Sequence, residues 1–300
     1  MICIQCHKEN RPIARYCKWC GKSIPQNNDP LGKLVGMESI KTEFRNIVRT
    51  FIQLRNISHT KQIRLNINSI IIGDTGTGKT TIPQILHEYL KEQGILEKSK
   101  LTIVDAVDFG QFVEHWDSNI KEAKGGILFF DNVQKLLPDS YSKNVNPLDK
   151  LFTQMDKWDN DPIVILAGLP HGLEEFLENN PSVRSRFKYI FRLPTMGVEE
   201  IYELTRRTLY ERYSIEEISS SAKETLMRQI KYELKNKDEA FEGARHAQKK
   251  AEDIFTAYIS NPARKTNTIE VEDIPGYVPK IRTLEDILKD LYDFIGMEDV

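Results

Sequence analysis

Between Asn66 and Thr81 the chain reads NINSIIIGDTGTGKTT, and this stretch decides the fold. The β-branched run Ser69–Ile72 predicts a short strand buried on both faces, and the pattern after Thr80 is helical. The residues between them match G-x-x-x-x-G-K-[ST] from Gly73 to Thr80, placed between strand and helix as that loop requires. Gly73, Gly76 and Gly78 let the backbone curl, so that amides along Gly73, Asp74, Thr75, Gly76, Thr77, Gly78, Lys79, Thr80 and Thr81 can turn toward phosphate oxygens. Lys79 adds a cation at the β and γ phosphates, Thr80 offers a hydroxyl to Mg²⁺, and the helix N-terminus contributes partial positive charge. A glycine-rich turn without a ligand is the bland alternative, and the strand-loop-helix context argues against it.

Outward from this loop, strand and helix patterns alternate. LTIVDA, GILFFD and IVILAG read as strands, and FVEHWDSNIKEAK and PLDKLFTQMDKW as helices. Several strands are apolar on both faces, which predicts an α/β domain with a parallel sheet covered on both sides. Asp131 closes the GILFFD strand at its carboxyl end, where ligands gather in parallel sheets, and so becomes a second Mg²⁺ candidate through water. Beyond FRLPTMG the strand patterns stop, and three amphipathic stretches predict a smaller all-helical domain.

All four cysteines, Cys3, Cys6, Cys17 and Cys20, lie in two C-x-x-C pairs near the amino terminus. Two such turns facing each other complete a tetrahedral Zn²⁺ site, and a segment this short takes most of its folding energy from the metal. The expected organisation is therefore a zinc ribbon at 1–24, a linker at 25–33, the α/β nucleotide-binding domain at 34–195, a helical lid at 196–275, and a further linker at 276–300. The motif LVGMESI, Leu34–Ile40, recurs as FIGMEDV, Phe294–Val300, and this similarity predicts the start of a second copy of the domain.

With 40% hydrophobic and 29% charged residues, and a net charge of -2, the composition is that of an ordinary globular chain without a chain-wide polycation. Residues 1–24 hold five Lys/Arg against one Glu, a local balance that thiolate-bound Zn²⁺ reduces to a modest patch. Tyr16 and Trp19 could stack on bases there, but covering the metal is the plainer role. No apolar run approaches a membrane span and the amino terminus is too polar for a secretory signal, so the expected compartment is the cytoplasm.

Taken in order, LVGMESIK, GDTGTGKTT, GGILFFDN, VILAGLP, NPSVRSRF and GARHAQKKAEDIF resemble the AAA+ ATPases of the CbxX/CfqX type. The likeness runs from about Leu34 to Tyr277. It implies ATP and Mg²⁺ as ligands, an α/β ATPase domain with a helical lid, and assembly into oligomers, commonly rings. It also implies that Arg184 or Arg186 of NPSVRSRF reaches the γ-phosphate held by a neighbouring subunit, and that Arg245 of GARHAQKKA touches phosphate from the lid.

Two departures bear on turnover. Asn132 stands where the family carries the glutamate that polarises the attacking water; an amide cannot accept that proton, which would slow hydrolysis roughly 10²- to 10⁴-fold without harming binding. The same residue is what a substitution installed to trap ATP would leave. Leu169 stands near the place of a polar residue that senses the γ-phosphate, and Phe112 or Trp116 could stand for the pore-loop aromatic, but core packing is the plainer role of both. The resulting expectation is an ATP-binding module, one of a tandem pair in a protein-remodeling ATPase, with weak or absent hydrolysis. A zinc-ribbon-directed nucleic-acid adaptor and an ATP-bound scaffold are the alternatives, with a protein client at the ribbon ranked above nucleic acid.

Overall fold

The computed structural model describes residues 18–19, 29–57, 66–96, 98–137, 148–158, 161–236, 242–260 and 267–276. The cysteine pairs and the FIGMEDV motif lie outside them. The described residues divide into two compact units. One runs up to Met196 and includes Glu242–Ala244; the other takes the remaining residues from Gly197 onward.

In the first unit, α1 (Glu38–Ile57) precedes β1 (Ser69–Ile72), α2 (Thr81–Glu92), β2 (Leu101–Asp105), α3 (Phe109–Glu114), α4 (Trp116–Ala123), β3 (Ile127–Asp131), α5 (Asp149–Met155), β4 (Ile163–Gly168), α6 (Pro170–Asn179), α7 (Pro181–Arg184) and β5 (Tyr189–Arg192). The five strands form one sheet in the order β2-β3-β4-β1-β5, and every pairing is parallel. Alternation within the strands explains why both faces are covered. Ile70, Ile72, Leu128, Phe130, Val164 and Leu166 enter one apolar cluster, whereas Ile71, Ile127, Phe129, Ile163, Ile165 and Ala167 enter the other.

The stretch from Phe112 to Lys124, which periodicity reads as one helix, is broken at His115 (φ -107, ψ 32). Asn119 Nδ2 donates to the Phe112 carbonyl at 3.0 Å, and Ser118 Oγ joins the Asn119 N–H at the His115 carbonyl at 2.9 Å, so side chains add donors to backbone acceptors at the break.

Before the sheet, Asp29 caps a turn of 3₁₀ helix at Pro30–Lys33: its Oδ1 accepts from the buried Leu31 N–H at 3.1 Å, and its Oδ2 accepts from Arg45 Nε and Nη2 at 3.0 and 2.8 Å. Losing a cap and a half-exposed bidentate pair costs about 1–2 kcal/mol. Asp29→Ala is therefore expected to lower the melting temperature by about 2–6 °C, read by circular dichroism.

The second unit is built on α8 (Val198–Tyr213), α9 (Ser220–Lys235) and α10, which begins at Gly243 and runs to Ile259. Ile201, Leu209, Leu226, Ile230, Ala251 and Ile254 are buried in it. Buried Thr205 returns its hydroxyl to the Ile201 carbonyl at 2.8 Å, and the Tyr213 and Phe255 rings stack with centroids 4.1 Å apart. The all-helical expectation is corrected here. Two strands, β6 (Glu217–Ile218) and β7 (Thr268–Ile269), pair in parallel, each too short to leave a period-two signal.

Candidate functional site

Parallel strands deliver their carboxyl ends to one edge, and the loop Gly73–Thr80 occupies that edge after β1. The Gly73 N–H extends the sheet by donating to the Gly168 carbonyl at 3.2 Å, and Thr77 Oγ closes the loop onto the Asp74 carbonyl at 2.7 Å. A Cβ on Gly73 would lie 2.6 Å from Thr77 Oγ and 2.9 Å from Leu193 Cβ, so only glycine permits this fold-back. Among the described residues, the backbone N–H groups of Gly76, Gly78 and Thr80 have no hydrogen-bond partner. Orphan amides at the head of a helix fit an anion.

Lys79 is 8% exposed and donates from Nζ to the carbonyls of Gly73 and Asp74, both at 2.8 Å. Thr80 Oγ donates to Asp131 Oδ2 at 2.6 Å across the end of β4, the strand that separates β1 from β3. Asp131 in turn accepts from the Asn132 N–H at 2.8 Å through Oδ1. Among the described residues no cluster of three His, Cys, Asp or Glu side chains forms a metal site. A hydroxyl and one carboxylate nevertheless suit Mg²⁺, which keeps water and phosphate oxygens as its other ligands.

Asn132 adopts left-handed backbone (φ 57, ψ 33). Its Nδ2 donates to Asp105 Oδ2 at 2.6 Å, on the last residue of β2. Asp105 Oδ1 accepts from the Val107 N–H at 3.0 Å. That N–H bond holds the Asp105 carboxyl below the ordinary aspartate range against a smaller opposing effect of burial, and the Asn132 amide and the Lys135 charge reinforce it.

Other expected residues fall as follows. Phe112 and Trp116 are 7% and 6% exposed and meet edge to face in the core, in keeping with the packing role. Leu169 brings no polar side chain, but its N–H donates to Gln134 Oε1 at 3.2 Å, and no local pattern indicates that Gln134 approaches this corner. A Cβ on Gly168 would meet that same Oε1 at 2.9 Å. Arg186 is engaged within its own chain: Nε and Nη2 bond Asp156 Oδ1 and Oδ2 at 2.9 and 2.6 Å, and Nε also reaches the Phe152 carbonyl at 3.1 Å. Arg184 is exposed and makes no side-chain ion pair among the described residues. Arg245 is exposed in the first turn of α10.

One contact has no counterpart in local sequence. Gly76 (φ +74) accepts from the Ala244 N–H at 2.9 Å, and Glu242–Ala244 belong to the same unit as the loop. Met37, itself at φ 59, packs its methyl 3.5 Å from where a Cβ on Gly78 would stand.

These features define a loop-and-strand-edge site of the nucleotide-binding type, and residues 69–195 match the model of the ATPase family associated with various cellular activities (AAA). Over this stretch the chain is similar to the AAA ATPase domain. Among curated proteins it is similar to stage V sporulation protein K of Bacillus subtilis (strain 168), 29% identical over 61% of this chain and 59% of that protein. It is also similar to protein CbbX of Cereibacter sphaeroides, 29% identical over 59% of this chain and 60% of that one. The matches thus span about three fifths of those relatives' lengths. Among solved structures, the Thermotoga maritima RuvB Holliday junction branch migration motor superposes with a TM-score of 0.57 at 18% identity, covering 91% of this chain and 81% of that one, a likeness of fold alone. No helix among the described residues is long and apolar enough to cross a membrane.

Proposed function

We propose that the chain is an ATP- and Mg²⁺-binding AAA+ module that works in an oligomer and hydrolyses ATP slowly or not at all. The observation that carries this reading is the 2.6 Å hydrogen bond between Thr80 and Asp131 beside the buried Lys79, which groups a hydroxyl, a carboxylate and a cation at one sheet edge. In this reading the amides from Gly73 to Thr81 hold the phosphates, with Gly73, Gly76 and Gly78 giving the curvature. Lys79 turns from its two carbonyls to the β and γ oxygens. Thr80 and Asp131 hold Mg²⁺, which supplies charge neutralisation at the phosphates when bound. Asn132 can position a water by hydrogen bonding but cannot take its proton, so binding outlasts turnover.

The oligomer is proposed from the family resemblance and from NPSVRSRF. Because Asp156 already engages Arg186, Arg184 is the residue assigned to the neighbouring subunit's γ-phosphate, and Arg245 is assigned to the phosphates of its own. The Zn²⁺ site at Cys3, Cys6, Cys17 and Cys20 belongs to the same reading on the spacing of the two C-x-x-C pairs, the tandem second copy on the recurrence of LVGMESI as FIGMEDV, and a protein client at the ribbon on its modest local charge.

Light scattering with and without ATP and Mg²⁺ tests the assembly, and two variants divide the arginines. Arg184→Ala is expected to remove ATP-dependent assembly, or any ATP turnover that assembly stimulates, while its melting temperature stays within about 2 °C of the parent. Arg186→Ala is expected to melt about 2–4 °C lower, since it removes the ion pair with the exposed Asp156 and the hydrogen bond to the Phe152 carbonyl. The reverse pattern would move the role to Arg186.

A further inference from the structure

The residue that departs from the ATPase pattern is not an isolated loss. β2 and β3 pair in register with Asp105 opposite Asp131, so Asp105 lies one strand outward from the Thr80–Asp131 bond. The left-handed turn at Asn132 brings its amide back across that register onto Asp105 Oδ2 at 2.6 Å. The other Asp105 oxygen is tied to the Val107 N–H, which leaves the carboxylate little freedom. The site therefore contains a carboxylate beside position 132, supplied by the neighbouring strand.

We propose that Asp105 and Asn132 form one functional pair: Asp105 supplies the carboxylate beside position 132 from the neighbouring strand and is the positioning residue that orients the Asn132 amide. The inference rests on the reading of this edge as an ATP site. With Nδ2 committed to Asp105, the amide oxygen is the acceptor left for a water or phosphate-bound ligand. A glutamate at position 132 would meet Asp105 instead of an amide. Two carboxylates at hydrogen-bond distance repel, and among the described residues Lys135 is the cation whose charge acts on Asp105. Restoring the familiar residue at 132 is therefore incompatible with this pair unless Asp105 changes as well. The substitutions that recover turnover must come together.

The test is a four-member cycle in the full chain: parent, Asp105→Asn, Asn132→Glu, and the double variant. Melting without nucleotide at neutral pH comes first. Asn132→Glu is expected to melt about 4 °C below the parent, and the double variant to return to within about 2 °C of it. Single-turnover hydrolysis comes second, with ATP affinity measured separately by displacement of a fluorescent ATP analogue. Asn132→Glu alone is expected to change kcat less than about 10-fold, and the double variant to raise it about 10²-fold or more with KM for ATP within about 3-fold. Asp105→Asn alone is expected to lower residual turnover at unchanged ATP affinity. Three results would overturn the pair: Asn132→Glu melting like the parent, Asn132→Glu gaining as much turnover as the double variant, or a double variant that binds ATP and gains none. If no chain binds ATP, the ATP reading fails, and the melting cycle still decides whether the two side chains share one site.

Discussion

Lys79→Ala is expected to lower ATP affinity about 100-fold or more while leaving the fold intact. Lys79 is already buried, at 8% exposure, and its Nζ donates to two carbonyls of the loop itself at 2.8 Å. It can therefore turn to phosphate without a large change in its own burial. Each charge-assisted hydrogen bond to a phosphate oxygen is worth about 1.5–3 kcal/mol, and two of them correspond to roughly 10²- to 10⁴-fold in affinity. Truncation also leaves the Gly73 and Asp74 carbonyls without this donor, a cost of about 1–3 kcal/mol that water at the loop can offset. Calorimetric titration with ATP and Mg²⁺, paired with a melting curve, separates the two effects. Loss of binding together with loss of the folded baseline would remove the argument for a direct phosphate contact.

Gly76→Ala is the second large effect, and its cause is mechanical. At φ +74 an L-residue pays about 1–2 kcal/mol in backbone strain. Its Cβ would stand 2.1 Å from the Glu242 carbonyl oxygen and 2.4 Å from the carbonyl carbon, both backbone atoms that no rotamer change can move. The Glu242–Ala244 segment must then leave the loop, with loss of the Ala244 N–H bond to Gly76 at 2.9 Å. The expected outcome is about 3 kcal/mol of destabilisation, a melting shift of about 6–12 °C, and faster proteolysis near residue 242. Gly94→Ala is the control. Gly94 has φ +63 but nothing within 4 Å of the added atom, so it isolates the strain from the collision. Equal effects at the two positions would mean that Glu242–Ala244 does not rest on the loop.

What the sequence makes legible follows from how local each signal is. Ser69–Ile72 and Ile127–Asp131 announce themselves as strands because every residue is apolar or small and a glycine or aspartate ends the run, and both are buried throughout. The phosphate loop is legible because its glycines, lysine and threonine are contiguous. The remaining features depend on strand register or on long loops. Nothing in the text near Asn132 names Asp105 as its partner, since that pairing exists only once β2 lies beside β3 in one register. Arg186 and Asp156 meet because α5 and the turn after α7 converge, and in the sequence both read as solvated charges. The contact of Glu242–Ala244 with Gly76 joins a segment far along the chain to the first loop of the sheet. Leu169 was readable as the loss of a polar group, but the amide of Gln134 beside its backbone was not.

These nonlocal contacts change what the local motifs mean. Asn132 read alone is a missing base, and a single replacement would be its cure. Read with Asp105, it is half of a pair whose other half carries the charge, so the same replacement introduces repulsion. NPSVRSRF read alone offers two equivalent arginines, and Asp156 makes them unequal.

The most direct measurement is calorimetric titration of this chain with ATP in the presence and absence of Mg²⁺. Saturable binding of one ATP per chain is expected, tighter with Mg²⁺ and removed by Lys79→Ala, with the nucleotide recovered largely unhydrolysed. No heat at millimolar ATP from a folded chain, or binding that Lys79→Ala leaves unchanged, would contradict it.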